Sequence, residues 1–203
     1  MSLTGKFDEG QIEYQIEYLE DSKEKPIVSL LPTTMLYQFK DNNYIQEVEG
    51  WMGVFKMAGI KNVNEDFNAA LLKIMADKYV YKGDLAFGYD EYPGMKVVFT
   101  DETKEIASIK CKKANIVFDG DEYENFSVYY TDKINVENPN QFNPFKEIPG
   151  VLMEYQYELF NITTHLVATK VDQIEIDETV FEIPSGYKSV SKDEMEEVIN
   201  NLM

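Results

Sequence analysis

His165 and Cys111 are the only histidine and the only cysteine of the chain. Nucleophilic catalysis needs a base beside both a nucleophile and an acid. The two residues fall on different predicted strands, with no local signature around either. His165 therefore reads as a strand histidine making an ordinary hydrogen bond. Cys111 lies between Lys110 and Lys112, and neighbouring cations lower a thiol pKa. On a strand those lysines point to the opposite face, so the thiol is expected in the core. One Cys and one His fall short of a zinc ligand set. Asp119, Asp121, Glu122 and Glu124 form an acidic turn whose spacing misses the EF-hand order, which leaves a solvated hairpin turn. Asp90-Glu91 and Asp101-Glu102 read as solvated charge. Among 37 acidic residues, no pair is marked out at the separation glycoside hydrolysis needs. These residues nominate no catalytic group, no metal ligand and no cofactor, and the chain is not expected to be an enzyme.

A second set of residues has the chemistry of binding instead. Met35, Tyr37, Phe39, Trp51, Phe55 and Met57 could line a soft apolar cavity, because Met suits adaptable binding surfaces. The competing reading is an ordinary filled core.

These side chains need strands to aim them. In GQIEYQIEY, Ile12, Tyr14, Ile16 and Tyr18 alternate with Gln11, Glu13, Gln15 and Glu17, the pattern of an antiparallel strand with one wet face. The run 151–183 behaves alike: Met153, Tyr155, Tyr157 and Leu159 on one face, Glu154, Gln156 and Glu158 on the other. Between them, Met35, Tyr37 and Phe39 alternate up to a turn at Asp41-Asn42-Asn43, and 44–48 returns as the second arm of a hairpin. Residues 54–60, 79–81 and 96–100 are strand-like, and 109–118 pairs with 126–131 across DGDEYEN. Pro26 to Pro32 encloses a short apolar segment, and 139–149 is a long Asn- and Pro-rich loop. Phe67, Ala70, Leu71, Ile74 and Met75 follow helical spacing, so a helix with Asn64 as N-cap is predicted over 64–77, a strand being the alternative. Ser191 and Glu194 form a capping box ahead of a stripe of Met195, Val198, Ile199 and Leu202, which predicts a C-terminal helix docked on the sheet.

Composition narrows the partners. The 203 residues carry a formal charge of -18, which repels phosphate backbones and argues against nucleic acid. Anionic membrane surfaces are disfavoured for the same reason. A single cysteine allows no intrachain disulfide, which suits cytoplasm and equally an envelope that does not depend on disulfides. Met1-Ser2-Leu3 reads as a cloning remnant before Thr4, so a native export signal is expected to have been removed. Residues 4–203 read as one domain.

Thr103-Lys104-Glu105-Ile106-Ala107, followed by Ile109-Lys110-Cys111-Lys112-Lys113-Ala114, resembles a family of Gram-negative envelope proteins whose fold is similar to the lipoprotein carriers LolA and LolB. EGQIEYQIEY is similar to that family's first strand and TTMLYQFKDN to its second. Gly150 with Val151-Leu152-Met153-Glu154-Tyr155 resembles the start of its late hairpin, and Phe181-Glu182-Ile183-Pro184-Ser185-Gly186-Tyr187 the close. Ser108 stands where glycine is expected, and Val151-Leu152 where a proline-containing pair is. The resemblance implies a mainly β (α+β) fold: a curved antiparallel sheet forming an incomplete, LolA-like β-barrel, covered by short helical elements and the C-terminal helix. It implies a periplasmic or envelope location, with lipid anchoring as an option, and no catalytic residues. The expected function is noncatalytic binding of a lipid, a lipoprotein acyl chain or another hydrophobic ligand in the concave face of the sheet. The alternative is a structural module that holds an envelope protein partner through the sheet face or edge.

Overall fold

A computed structural model describes residues 5–19, 31–50, 53–83, 92–120, 123–159 and 162–201. The protein is built on one large, curved, open sheet. Its strands are β1 (Glu9–Tyr18), β2 (Thr34–Lys40), β3 (Asn43–Gly50), β4 (Phe55–Asn62), β5 (Phe67–Ile74), β6 (Asp77–Lys82), β7 (Met95–Ile106), β8 (Ile109–Phe118), β9 (Phe126–Thr131), β10 (Val151–Leu159), β11 (Ile162–Asp172) and β12 (Lys188–Ser189). The spatial order is β12-β6-β5-β4-β3-β2-β1-β11-β10-β9-β8-β7. Two antiparallel meanders, β1 to β6 and β7 to β11, are thus zipped together by the pairing of β1 with β11. The short β12 adds in parallel to β6.

This order favours curvature. β6 and β7 follow each other in sequence yet lie ten strand-to-strand steps apart. In a flat sheet those steps of about 4.8 Å would separate them by about 48 Å. The chain from Lys82 to Met95 reaches only about 45 Å when fully stretched. A flat sheet would thus need that connection almost fully stretched, and the sheet is in fact curved.

The inner face carries the main core. Ile12, Tyr14 and Ile16 of β1, Met35, Tyr37 and Phe39 of β2, Leu166 and Ala168 of β11, and Met153, Tyr155 and Tyr157 of β10 are all buried. The segment after β9 packs into this face with Ile134, Val136, Phe142, Phe145 and Ile148. Asn140 fixes that segment by donating to the carbonyls of Ile148 and Gly150 at 2.8 and 3.0 Å.

The predicted helix over 64–77 is replaced by a strand. Residues 63–66 form a turn, in which the Asn62 side chain accepts from the Glu65 amide at 2.9 Å, and β5 follows. Helical spacing misled because this strand is buried on both faces. Ala69 and Leu71 lie under Ile176 and Phe181 on the outer side. Ala70 and Leu72 lie under Met195 and Ile199 on the inner side. A doubly covered strand reads as a continuous apolar run, which contains the helical spacing as a subset.

The cover on both faces comes from the chain after β11. Residues 173–187 cross the outer face, including a 3-10 turn at Glu178–Phe181 capped by Asp177. β12 then turns the edge, and helix α1 (Lys192–Asn200) lies on the inner face. Its capping box is as expected: the Ser191 hydroxyl accepts from the Glu194 amide, and the Glu194 carboxylate accepts from the Ser191 amide. Leu202, the last residue of the predicted stripe, lies outside the described residues, as does most of the Pro26 to Pro32 segment.

Candidate functional site

The six nominated residues part company in the structure. On β2, alternation turns Met35, Tyr37 and Phe39 to the inner face, and the register Met35↔Val48↔Met57 carries that face across β3 and β4. Tyr37 stacks on Tyr44 with ring centroids 5.2 Å apart. Phe142 meets Tyr44 edge-on at 5.7 Å. Gly59 makes room for that plug, since a Cβ there would stand 3.1 Å from Phe142 Cδ2. Tyr37 and Phe39 are buried core beneath the 132–150 segment, and they are not among the residues lining the cavity beside them. Burial pushes the Tyr37 hydroxyl well above its usual pKa, so it stays a neutral phenol.

An opening remains beside them. Met35, Phe55 and Met57 line a cavity of about 80 Å³ together with Ile16, Tyr18, Val48, Tyr157 and Thr164. It lies between two covered regions of the inner face. On one side Gly59 carries the Phe142 plug; on the other, Met57 shares a cluster with Met195 and Ile199 of α1. The rim runs through Leu31 and Pro32, and the Tyr18 hydroxyl fixes it by donating to the Pro32 carbonyl at 2.6 Å. Burial raises the Tyr18 pKa, so this donor is held through the physiological range. Trp51, the sixth nominated residue, lies outside the described residues.

Tyr18, Tyr157 and Thr164 were not nominated, although the alternation of their strands placed the two tyrosines on the inner face. The register Tyr18↔Thr164↔Tyr157 brings all three to one end of the sheet. Only the pairing of β1 with β11, across most of the chain, brings Thr164 and Tyr157 beside Tyr18 on the face that carries Met35. The 132–150 plug did leave a local signal, in that Phe142, Phe145 and Ile148 recur through a stretch otherwise rich in Asn and Pro.

The groups with chemical potential take structural places. Cys111 is fully buried, and burial pushes its thiol up to about 12, so it is not a thiolate nucleophile at neutral pH. His165 stands on the outer face between Glu17 and Glu154, with Nδ1 and Nε2 at 3.9 and 3.7 Å from their carboxylate oxygens. Glu154 also pairs with Lys104, whose ammonium sits 4.9 Å from the Tyr129 ring centroid. Asp119 pairs with Lys96. No group of three or more potential metal ligands occurs among the described residues.

No family model matches the chain, and no curated protein matches it. A solved structure of PNGF-II in the C2 space group is similar in fold, with a TM-score of 0.55 at 12% sequence identity. The match covers 94% of this chain and 32% of that one, so this chain spans about a third of the length of that structure. The likeness is one of fold. No helix among the described residues is long and apolar enough to cross a membrane.

Proposed function

We propose that this protein is a noncatalytic binding protein of the Gram-negative envelope. In this reading its curved sheet is a LolA-like half-barrel, and the opening beside Met35, Phe55 and Met57 takes the apolar end of a lipid, an acyl chain or another hydrophobic ligand. One observation supports it above the others: an apolar opening persists between the parts of the inner face covered by the 132–150 loop and by α1. Its size limits the occupant. An engineered cavity of about 150 Å³ holds benzene, so about 80 Å³ suits a short alkyl end rather than a whole lipid. The remainder of the ligand leaves past Tyr18 and Pro32. Protein purified without harsh detergent is expected to release acyl-chain material on solvent extraction, identified by mass spectrometry. Absence of any apolar ligand, together with no uptake of added fatty alcohol, would reject the reading.

A second reading is favoured by one feature of the sheet. β7 is an outer strand, and its Val98 and Phe99 are about half exposed. Such an edge suits addition of a strand from a protein partner. Val98→Lys together with Phe99→Lys would then abolish capture of a purified envelope partner while leaving fatty-alcohol uptake intact.

A further inference from the structure

A second cleft, of about 320 Å³, shares Tyr157 with the apolar cavity as a lining residue. Its walls are mostly rings: Tyr92, Phe118, Tyr123, Phe126 and Tyr157, with Glu124 at the exposed rim. The rings meet at steep angles. Tyr92 stands at 68° to Phe118 and at 81° to Tyr123, with centroids 5.4 and 5.2 Å apart. Phe118 and Tyr123 lie 5.1 Å apart at 38°. The result is an aromatic corner, two ring walls close to perpendicular, rather than one flat platform.

The backbone holds this corner in place. The Phe118 amide donates to the Asn125 side chain at 2.9 Å, which closes the base of the loop carrying Tyr123 and Glu124. The Met95 amide donates to the Tyr92 carbonyl at 3.2 Å and fixes the turn on the other side. The Leu19 amide donates to the Thr163 carbonyl at 3.0 Å at the third corner.

The charge around the cleft has one sign. Among the described residues no lysine or arginine lines it and one carboxylate does, and the whole chain carries -18. Ring faces attract cations centred within about 6 Å, most strongly where several faces converge and water is excluded. A negative field raises the local concentration of cations. We propose that this cleft is a binding site for an organic cation of the quaternary-ammonium type, with Tyr92, Phe118 and Tyr123 presenting ring surface to the alkylated nitrogen and Glu124 supplying the counter-charge. A neutral sugar would use a flat ring platform instead, and the perpendicular walls disfavour it.

Calorimetric titration of the folded chain with choline, with its neutral isostere 3,3-dimethylbutan-1-ol and with methyl glucoside separates the cases. Choline is expected to saturate, and the isostere to bind about tenfold more weakly. Glu124→Gln, a change at an exposed position that leaves the fold alone, is expected to weaken choline about threefold or more. Tyr92→Leu is expected to weaken it about tenfold. The proposal is overturned if the isostere binds as well as choline, if only the sugar saturates, if choline does not saturate, or if neither substitution changes its affinity. Run on Met57→Trp protein, in which the apolar cavity is filled, the same titrations report on this cleft alone, so the outcome is independent of the apolar cavity.

Discussion

At the scale of single residues, the hairpin between β7 and β8 shows how a departure from expected sequence becomes a physical cost. Glycine was expected at Ser108, and the reason is visible: Ala107 and Ser108 have φ of 49° and 64°. A two-residue turn with both positions left-handed favours glycine or asparagine. A non-glycine residue there costs about 1–2 kcal/mol, whereas glycine in the unfolded chain costs about 0.4–1 kcal/mol in entropy. The first effect wins. Ser108→Gly should stabilise the protein by about 0.5–1 kcal/mol, raising the melting temperature by about 2–3 °C in scanning calorimetry. A lower melting temperature would show that the turn is not strained. The same scale accounts for Tyr37 and Phe39. Their type and alternation were legible, but whether an inward aromatic meets a cavity or a plug depends on Phe142, about a hundred residues later in the chain.

At the scale of elements, the strands with one wet face were legible and the doubly covered one was not. Period-two alternation identified β1, β2 and β10 because each presents polar residues such as Gln15, Gln38 or Glu154 on its other face. β5 has no such face over Ala69 to Leu72, so nothing in its local pattern tells a strand from a helix. Its identity is set by the tail, which covers it from both sides. Deleting residues 190–203 would strip Met195 and Ile199 from Ala70 and Leu72. Fully burying one such side chain is worth about 1.5–3 kcal/mol, so the melting temperature should fall by several degrees. An unchanged melting curve would make α1 a dispensable appendage.

Carboxylates anchor the outer crossing of the same tail. Glu9 accepts from the Ile176 amide and pairs with Lys40, which lowers its pKa. Asp177 is lowered by accepting from the Thr179 amide and hydroxyl. Asp172 is lowered chiefly by its hydrogen bond to Lys170. A carboxyl whose folded pKa lies below its unfolded value contributes stability above the unfolded value and loses it as pH falls through the folded one. Ordinary values are about 3.9 for Asp and 4.3 for Glu. The contribution of these groups should therefore be intact near neutrality and decline below about pH 4. Amide hydrogen exchange at Ile176 and Thr179, followed from pH 7 to pH 3 and corrected for intrinsic rates, should show protection lost over that acid range. Protection that persists to pH 3 would mean the crossing is held by Phe181 and Ile176 alone.

At the scale of the whole molecule, long-range pairing decides what composition and periodicity leave open. The charge of -18 set an expectation about partners, and alternation set the fold class. The curl accords with a connection that could hardly span a flat sheet, and the cavity arises from the meeting of β1, β2, β3, β4, β10 and β11. Neither is a local property of any segment. If the cavity holds the end of an alkyl chain, burying three or four methylenes at about 0.8 kcal/mol each supplies about 2.5–3 kcal/mol, or about a hundredfold in affinity. Met57→Trp, which fills the opening, should remove about that much.

The most direct test uses the methionines already in place. Met35 and Met57 line the opening, whereas Met153 is buried elsewhere in the core, away from it. With the methionine methyl groups labelled with ¹³C, titration with octanol should shift the Met35 and Met57 resonances saturably and leave Met153 unmoved, and Met57→Trp should abolish the Met35 shift. Resonances that stay fixed, or that all drift together without saturation, would contradict a binding site for apolar ligands in this sheet.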